Sequence, residues 1–317
     1  SSNIRILYNN GIPVTSLRDI ANCIASELAS TTKSNNYSVS FLHHKFTSEK
    51  QKLNFSPYTP HNRDFTFFEL KRSLSEIHKS SPGPDNIIYA MIQHLSSESL
   101  HNILFLYNRI WREHSFPPSW QQAIIIPVLK PGKDSSNPCN YRPIALTNCI
   151  CKILEKMVNK RLIYYLENNN FFSPFQSGFR QGRSTTDNLL ALETEIRNAF
   201  IRRHHAVTIF LDIEKAYDRA WRYGILRDLY NCNLRGNLLI FIQNFLKLRQ
   251  FRVRIGSQLS DYFVQEEGVP QGSVLSVTLF TLKLNCILQQ LPLSVKGFLY
   301  VDDLNISCTR DNMALIE

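Results

Sequence analysis

Two β-rich apolar runs, far apart in this chain, both break on acids, and that pairing limits what the chain can fold into more than any other feature. The first run, Val207-Thr208-Ile209-Phe210-Leu211, ends in Asp212 and continues as Ile213-Glu214-Lys215-Ala216-Tyr217-Asp218. The second, Phe298-Leu299-Tyr300-Val301, meets Asp302 and Asp303 and resumes as Leu304-Asn305-Ile306. A carboxylate at the end of a buried strand is costly unless something positive meets it, and a divalent metal is the usual reason. A tight turn in the second run puts Asp302 and Asp303 at a hairpin tip, where both can reach one cation. Only the fold can bring Asp212 to them. Hard cations such as Mg²⁺ take oxygen ligands and are held by one or two carboxylates plus substrate phosphates. Two such ions about 3.5–4 Å apart can clamp both oxygens of a phosphoryl displacement. By itself an Asp-Asp pair is more often a turn or a solvated loop, so the assignment depends on the rest of the chain.

The length of 317 residues, 43% hydrophobic content and 20 Phe suit a globular chain with a sizeable core. A net charge of +10 favours a polyanionic partner without naming it. No apolar stretch is long enough to span a membrane and no secretory leader is evident, which excludes a membrane partner at this stage. The seven cysteines are scattered without a C-x-x-C pair, which argues against structural zinc and a disulfide framework and for a reducing intracellular compartment, cytoplasmic and/or nuclear. The chain begins with Ser and stops soon after Asp303, the pattern expected of a fragment.

Taken in order, residues 1–63 read as an N-terminal extension or linker. Thr15-Ser16 can cap one helix carrying Leu17, Ile20, Ala21, Ile24 and Leu28, and a Ser/Thr/Asn/Lys-rich stretch follows, ending in Phe55-Ser56-Pro57-Tyr58-Thr59-Pro60. Helical spacing returns from Asp64 with Phe67, Leu70 and Leu74 and is stopped by Ser80-Ser81-Pro82-Gly83-Pro84-Asp85, where Asp85 is placed to cap the next helix. A further helix covers 100–111. Residues 123–129 read as a strand, returning through 140–146, with Lys130, Lys133 and Arg142 near the tip of the ribbon; these either grip phosphate or are solvated loop charges. Residues 147–166 form a long helix whose Lys152, Lys156, Lys160 and Arg161 line a nucleic-acid channel or are simply its wet side. A glycine-punctuated loop, 176–187, offers Arg180 and Arg183 to a nucleic acid, or is structural. After Asp218, helical segments span 223–248, and strict alternation in 250–255 gives a strand with Arg252 and Arg254 on one face. Gly268-Val269-Pro270-Gln271-Gly272-Ser273 is then a shaped turn at the start of a helix over 275–291.

In order and spacing, Leu211-Asp212-Ile213-Glu214-Lys215-Ala216-Tyr217-Asp218, Gly268-Val269-Pro270-Gln271-Gly272-Ser273 and Tyr300-Val301-Asp302-Asp303 resemble the palm motifs of reverse transcriptases. Tyr141-Arg142-Pro143-Ile144-Ala145-Leu146 and the 176–185 loop resemble finger motifs of the non-LTR, LINE-type, jockey-like group. Ser81-Pro82-Gly83-Pro84-Asp85 matches that group's extra N-terminal motif. The resemblance, over residues 64–309, implies an α+β right-hand polymerase fold: fingers with the N-terminal helical motif over 64–204, a partial palm over 205–317 with an antiparallel sheet and packed helices, and no thumb. It implies an RNA-directed DNA polymerase using two Mg²⁺ ions, with Mn²⁺ as a substitute, a dNTP, an RNA template and a DNA primer. Asp212, Asp302 and Asp303 would be the catalytic carboxylates and metal ligands, with the Ile213 carbonyl in the second ion's shell. Tyr217 would be the sugar gate, Gln271 and Gly272 would pack on the incoming nucleotide, and Lys133 (or Lys130) and Arg142 would hold the triphosphate. Where many relatives carry Phe-Ala-Asp-Asp, this chain has Tyr300-Val301-Asp302-Asp303, which keeps both acids. The alternative is a truncated or domesticated remnant that binds nucleic acid without catalysis. RNA-directed RNA synthesis is disfavoured by Tyr217.

Overall fold

A computed structural model of the chain describes residues 4, 6–9, 11–54, 60–77 and 81–313. The chain divides into two units that are interleaved along the sequence: Ser1–Leu162 with Tyr217–Ser276, and Ile163–Ala216 with Val277–Glu317. Neither coincides with the expected division at 63 and 204, because strands that pair in space are distant in sequence. Among the described residues no helix is long and apolar enough to cross a membrane, and all seven cysteines are free thiols.

The first unit opens with the hairpin β1 (Leu7–Asn9) and β2 (Ile12–Val14), then α1 (Leu17–Thr31) and α2 (Val39–Glu49). The linker reading of this region needs correction. Ser38 caps α2 by accepting from Phe41 N, and α1 is part of the unit's core. Ile20, Ala21, Ile24 and Ala25 of α1 are fully buried with Ala123, Ile125, Phe251, Val253 and Ile255. The segment 55–59 that ended the expected linker lies outside the described residues, as does Ser80.

Next come α3 (Phe67–Ser75), α4 (Tyr89–Gln93) and α5 (Ser97–Glu113). Helix α3 starts on a capping box in which Thr66 and Glu69 satisfy each other's backbone N–H groups. Asp85 does not cap α4, whose N-cap is Ile88; its Oδ1 accepts from Ile87 N in a local Asx turn instead. The sheet of this unit orders as β4 (Tyr141–Leu146), β3 (Gln122–Leu129), β6 (Gln250–Ile255) and β7 (Gln258–Leu259), with β8 (Phe263–Val264) also on β6. Strands β3 and β4 are antiparallel, Val128 facing Arg142, while β3 and β6 run parallel. In β6 the odd residues Phe251, Val253 and Ile255 are buried and Arg252 and Arg254 are not, as the alternation demands.

Helix α6 (Cys149–Asn168) carries the expected basic residues, and Lys156, Lys160 and Arg161 are engaged by partners within the unit. Lys152 is buried, and Lys156 and Lys160 donate to Glu76. Arg161 makes a bidentate pair with Glu69 and also donates to three backbone carbonyls, those of His61, Arg63 and Asp64. The face is spent on joining α6 to the chain around α3. Helices α8 (Arg222–Asn231) and α9 (Asn237–Leu246) complete the unit.

The second unit contains α7 (Thr185–Arg202), β5 (His205–Leu211), most of α10 (Val274–Gln290), β9 (Val295–Tyr300) and β10 (Asp303–Arg310). Its antiparallel sheet orders as β5-β10-β9, so the last strand among the described residues is the central one.

Two outcomes are expected. Ile24→Ala should cost about 2–5 kcal/mol, since it opens a cavity in a fully buried core site; denaturant unfolding measures this, and a change near zero would return α1 to the status of an appendage. Burial alone would raise the Glu69 carboxyl, but the hydrogen bonds from Arg161 and Thr66 outweigh it and hold it below the ordinary carboxylate value of 4.5. Its contribution is therefore full above that value and is lost as pH falls through the lowered folded value. Glu69→Gln should lose less stability than the parent between about pH 6 and pH 3, as read by unfolding at each pH.

Candidate active site

In the second unit, Tyr300 pairs with Asp303, so only Val301 and Asp302 form the turn between β9 and β10. A two-residue hairpin loop takes a primed turn, in which at least one central residue needs positive φ. Val301 adopts it, at φ 59°. That conformation is disfavoured for a β-branched residue and is tolerated only where surroundings impose it.

The surroundings are the loop 175–178. Ser177 N donates to Leu299 O at 3.0 Å and Leu299 N to Phe175 O at 2.9 Å, so this loop pairs with the strand just before the turn. A Cβ on Gly178 would lie 2.3 Å from Val301 N. The close backbone approach read from this glycine is therefore to the chain's own acidic turn. Arg180 is spent in the same way. It forms a bidentate pair with Glu167, donates to the carbonyls of Ser173 and Gln176, and stacks over Phe172. With its side chain 12% exposed, it braces the loop and is not the open nucleic-acid contact expected of it. Arg183 is exposed.

The register brings the remote acid to the same place. Leu304 of β10 faces Leu211 of β5. Asp212 is the residue after Leu211 and Asp303 the one before Leu304, so both stand one step beyond the last pair of the ladder. Facing residues in antiparallel strands have Cα atoms about 4.5–5.5 Å apart. Asp212 and Asp303 are exposed and Asp302 is half-buried. Strand β5 is not the buried strand its composition suggests: it is an edge strand, with Phe210 71% exposed. Solvation, more than a compulsory cation, is what lets Asp212 sit there. A cavity of about 390 Å³ adjoins the acids, lined by Leu189 and Leu192 of α7, Phe210 and Leu211 of β5, and Tyr300 and Asn305 of the hairpin, among others.

Among the described residues no three His, Cys, Asp or Glu side chains form a group that could hold a metal ion unaided. The donors fit a different kind of magnesium site. Mg²⁺ is typically held by one or two carboxylates with the remaining ligands from water and substrate phosphate, and exposed acids at the end of a ladder offer that.

The first unit holds the other candidate residues. Val269 N donates to Tyr217 O and Gly268 N to Ala220 O, both at 2.9 Å. Ala145 N of β4 donates to Gln271 O at 2.7 Å, and Gln271 Nε2 donates to Asp218 Oδ1 at 3.1 Å. The loop 268–273 is thus clasped between the segment 217–220 and β4, which brings Tyr217, Gln271 and Gly272 together. Both glycines are required. Gly268 (φ +80°) and Gly272 (φ +115°) would each put a Cβ within 2.6 Å of a backbone carbonyl oxygen, of Asp218 and Ala145 respectively. Lys133 and Arg142 are exposed on the β3–β4 ribbon and Lys130 is half-buried at its tip. Arg222, which the sequence did not single out, donates through Nε to Gly268 O at 2.8 Å. Burial brings its guanidinium down to about 10. Its neighbour Glu267 accepts from Arg222 N and pairs with Lys45 of α2. Only the position of Arg222 next to Trp221, at a helix start, hinted at burial.

A Drosophila melanogaster protein described as a probable RNA-directed DNA polymerase from transposon BS is 34% identical over 206 residues, 64% of this chain and 22% of that protein. The RNA-directed DNA polymerase from mobile element jockey of Drosophila funebris is 33% identical over 218 residues, 68% of this chain and 24% of its own length. The Pol polyprotein from type-1 retrotransposable element R2 of Popillia japonica is 26% identical over 254 residues, 78% of this chain and 34% of the relative. The chain spans less than a quarter of the length of the first two. The family model for reverse transcriptase (RNA-dependent DNA polymerase) matches residues 128–316. That span takes in β4, the 268–273 loop and both acid-bearing strands, and with more than half of its length matched the chain belongs to the reverse transcriptase family.

Proposed function

We propose that this chain carries the nucleotidyl-transfer centre of an RNA-directed DNA polymerase of a non-LTR retrotransposon. The observation that carries the reading is the β5–β10 register, which sets Asp212 and Asp303 at one end of a ladder whose adjoining turn bears Asp302. The second unit would then be palm, and the ribbon and helices of the first would include the fingers.

Asp212, Asp302 and Asp303, with the Ile213 carbonyl, would hold two magnesium ions, for which manganese is a substitute. The bound pair supplies charge stabilisation at the attacking and leaving oxygens. The reaction is attack of a DNA primer 3′-hydroxyl on the α-phosphorus of a dNTP, with pyrophosphate leaving. Lys133 and Arg142 on the exposed ribbon would grip the triphosphate, Arg by its fork and Lys as a point charge, with Lys130 as the alternative at the same tip. Tyr217 would put its ring under C2′ of the sugar and exclude a ribose hydroxyl by bulk. Gln271 and Gly272, held against β4 and Asp218, would present a rigid surface to the base. Arg183 is the open cation of its loop and suits a template phosphate; contacts of that kind fix position without reading sequence.

Asp302→Asn should abolish primer extension on an RNA template while leaving primer–template binding within a few-fold. Loss of binding as well would mean that the residue holds the fold. Tyr217→Ala should admit rNTPs in the same assay run with both sugars in parallel, and unchanged sugar selectivity would remove Tyr217 from the gate.

A further inference from the structure

Helix α6 carries one acid on its buried side. Glu155 is 0% exposed, one turn after Cys151 and beside Leu154 and Val158, which are buried too. A carboxylate taken out of water is costly unless its oxygens find donors. Glu155 finds four. Oε2 accepts from the Ser273 hydroxyl, from Val274 N at 3.0 Å and from Leu275 N at 3.4 Å, and Oε1 accepts from Cys151 Sγ at 3.4 Å.

Three of these donors share one location. Val274 and Leu275 open α10, and the first four N–H groups of a helix have no partner within it. A cap usually comes from the residue just before the helix. Here the acceptor comes from α6, a carboxyl oxygen set at the positive end of the helix dipole. Arg249 is a buried cation nearby. It donates through Nη1 to Phe245 O at 3.0 Å and lies in the electrostatic range of Glu155.

Ser273 is also the last residue of the 268–273 loop. The loop's start is tied to Tyr217 and Ala220 and its middle to Ala145 and Asp218. Its far end is tied to Glu155. We infer that Glu155 is a positioning residue for nucleotide selection: by capping α10 from α6 it fixes the exit of the loop, and so the place from which Gln271 and Gly272 meet an incoming nucleotide. A merely structural buried acid would stabilise the unit as a whole. A positioning acid acts locally, on those amides and on the affinity for the nucleotide.

The inference rests on the polymerase reading, and two measurements separate them. The first is amide hydrogen exchange on the 317-residue protein, which needs no activity. In Glu155→Ala the amides of Val274 and Leu275 should exchange about ten-fold faster, the scale of a lost cap, while the β3–β4 ribbon is unchanged. Glu155→Gln keeps an acceptor oxygen of the same reach and should restore protection. The second is primer extension with a varied dNTP. Glu155→Ala should raise KM for the nucleotide about ten-fold with kcat altered much less, Gln should rescue most of it, and Ser273→Ala should move in the same direction by less, having lost one donor of three. Unchanged exchange at Val274 and Leu275 overturns the inference. So does faster exchange with KM intact, or acceleration spread over the whole unit without rescue by Gln. If Glu155→Ala does not fold, Ser273→Ala alone decides by the same two readouts. The exchange data decide whether Glu155 holds the loop whether or not the 317-residue protein extends a primer.

Discussion

The ladder between β5 and β10 is the interaction on which the rest depends. Side chains alternate along a strand, so a slip of one residue would turn every side chain of β10 to the other face and carry Asp303 away from the strand end that bears Asp212. The register is held from two sides. Strand β9 pairs with β10 through the tight turn, and the 175–178 loop pairs with β9 and presses Gly178 onto Val301. The unfavourable backbone of Val301 is sustained by that packing, and Arg180, clamped to Glu167, keeps the loop in place. The acids themselves need little support. Asp212 and Asp303 are exposed to solvent, so their place at the strand ends carries a small desolvation cost.

The first unit solves a different problem, that of holding a loop with two left-handed glycines in one conformation. It does so by hydrogen bonds to backbone from several directions: Tyr217 and Ala220 below the start, Ala145 beside the middle, Arg222 on the Gly268 carbonyl and Glu155 at the end. Only two of these anchors are charged side chains, Glu155 fully buried and Arg222 half-buried. Buried charges without partners would be among the costliest features of such a unit, and each is met by donors or acceptors at the ends of the loop.

Much of this was readable in the sequence. Periodicity of two or of 3.6 found the strands and the main helices, and the break of two apolar runs on acids found the hairpin and its remote partner. The misreadings share one cause, which is that a charge or a polar stretch does not declare its partner. Lys156, Lys160 and Arg161 read as a basic face because Glu69 and Glu76 lie far back in the chain, in α3 and just after its end. Arg180 read as a ligand contact because Glu167 sits across a turn. The polar composition of 33–50 hid α2, whose hold on the unit comes from Trp221 and Glu267, far along the chain. Glu155 could have been found: an acid within an apolar stripe of Cys151, Leu154 and Val158 is an anomaly that asks for a buried donor.

The central place of β10 has a consequence for the chain as it is made. Strand β5 leaves the ribosome long before its partner exists, with Ile209 and Phe210 on an edge that has no neighbour. Until residues 303–310 follow, the second sheet lacks its middle strand and cannot form, because β9 and β5 meet only through it. Pairings of such long sequence separation are slow to close and leave sticky edges exposed meanwhile. Closure of the second sheet therefore waits on residues 303–310, the strand that joins β5 to β9.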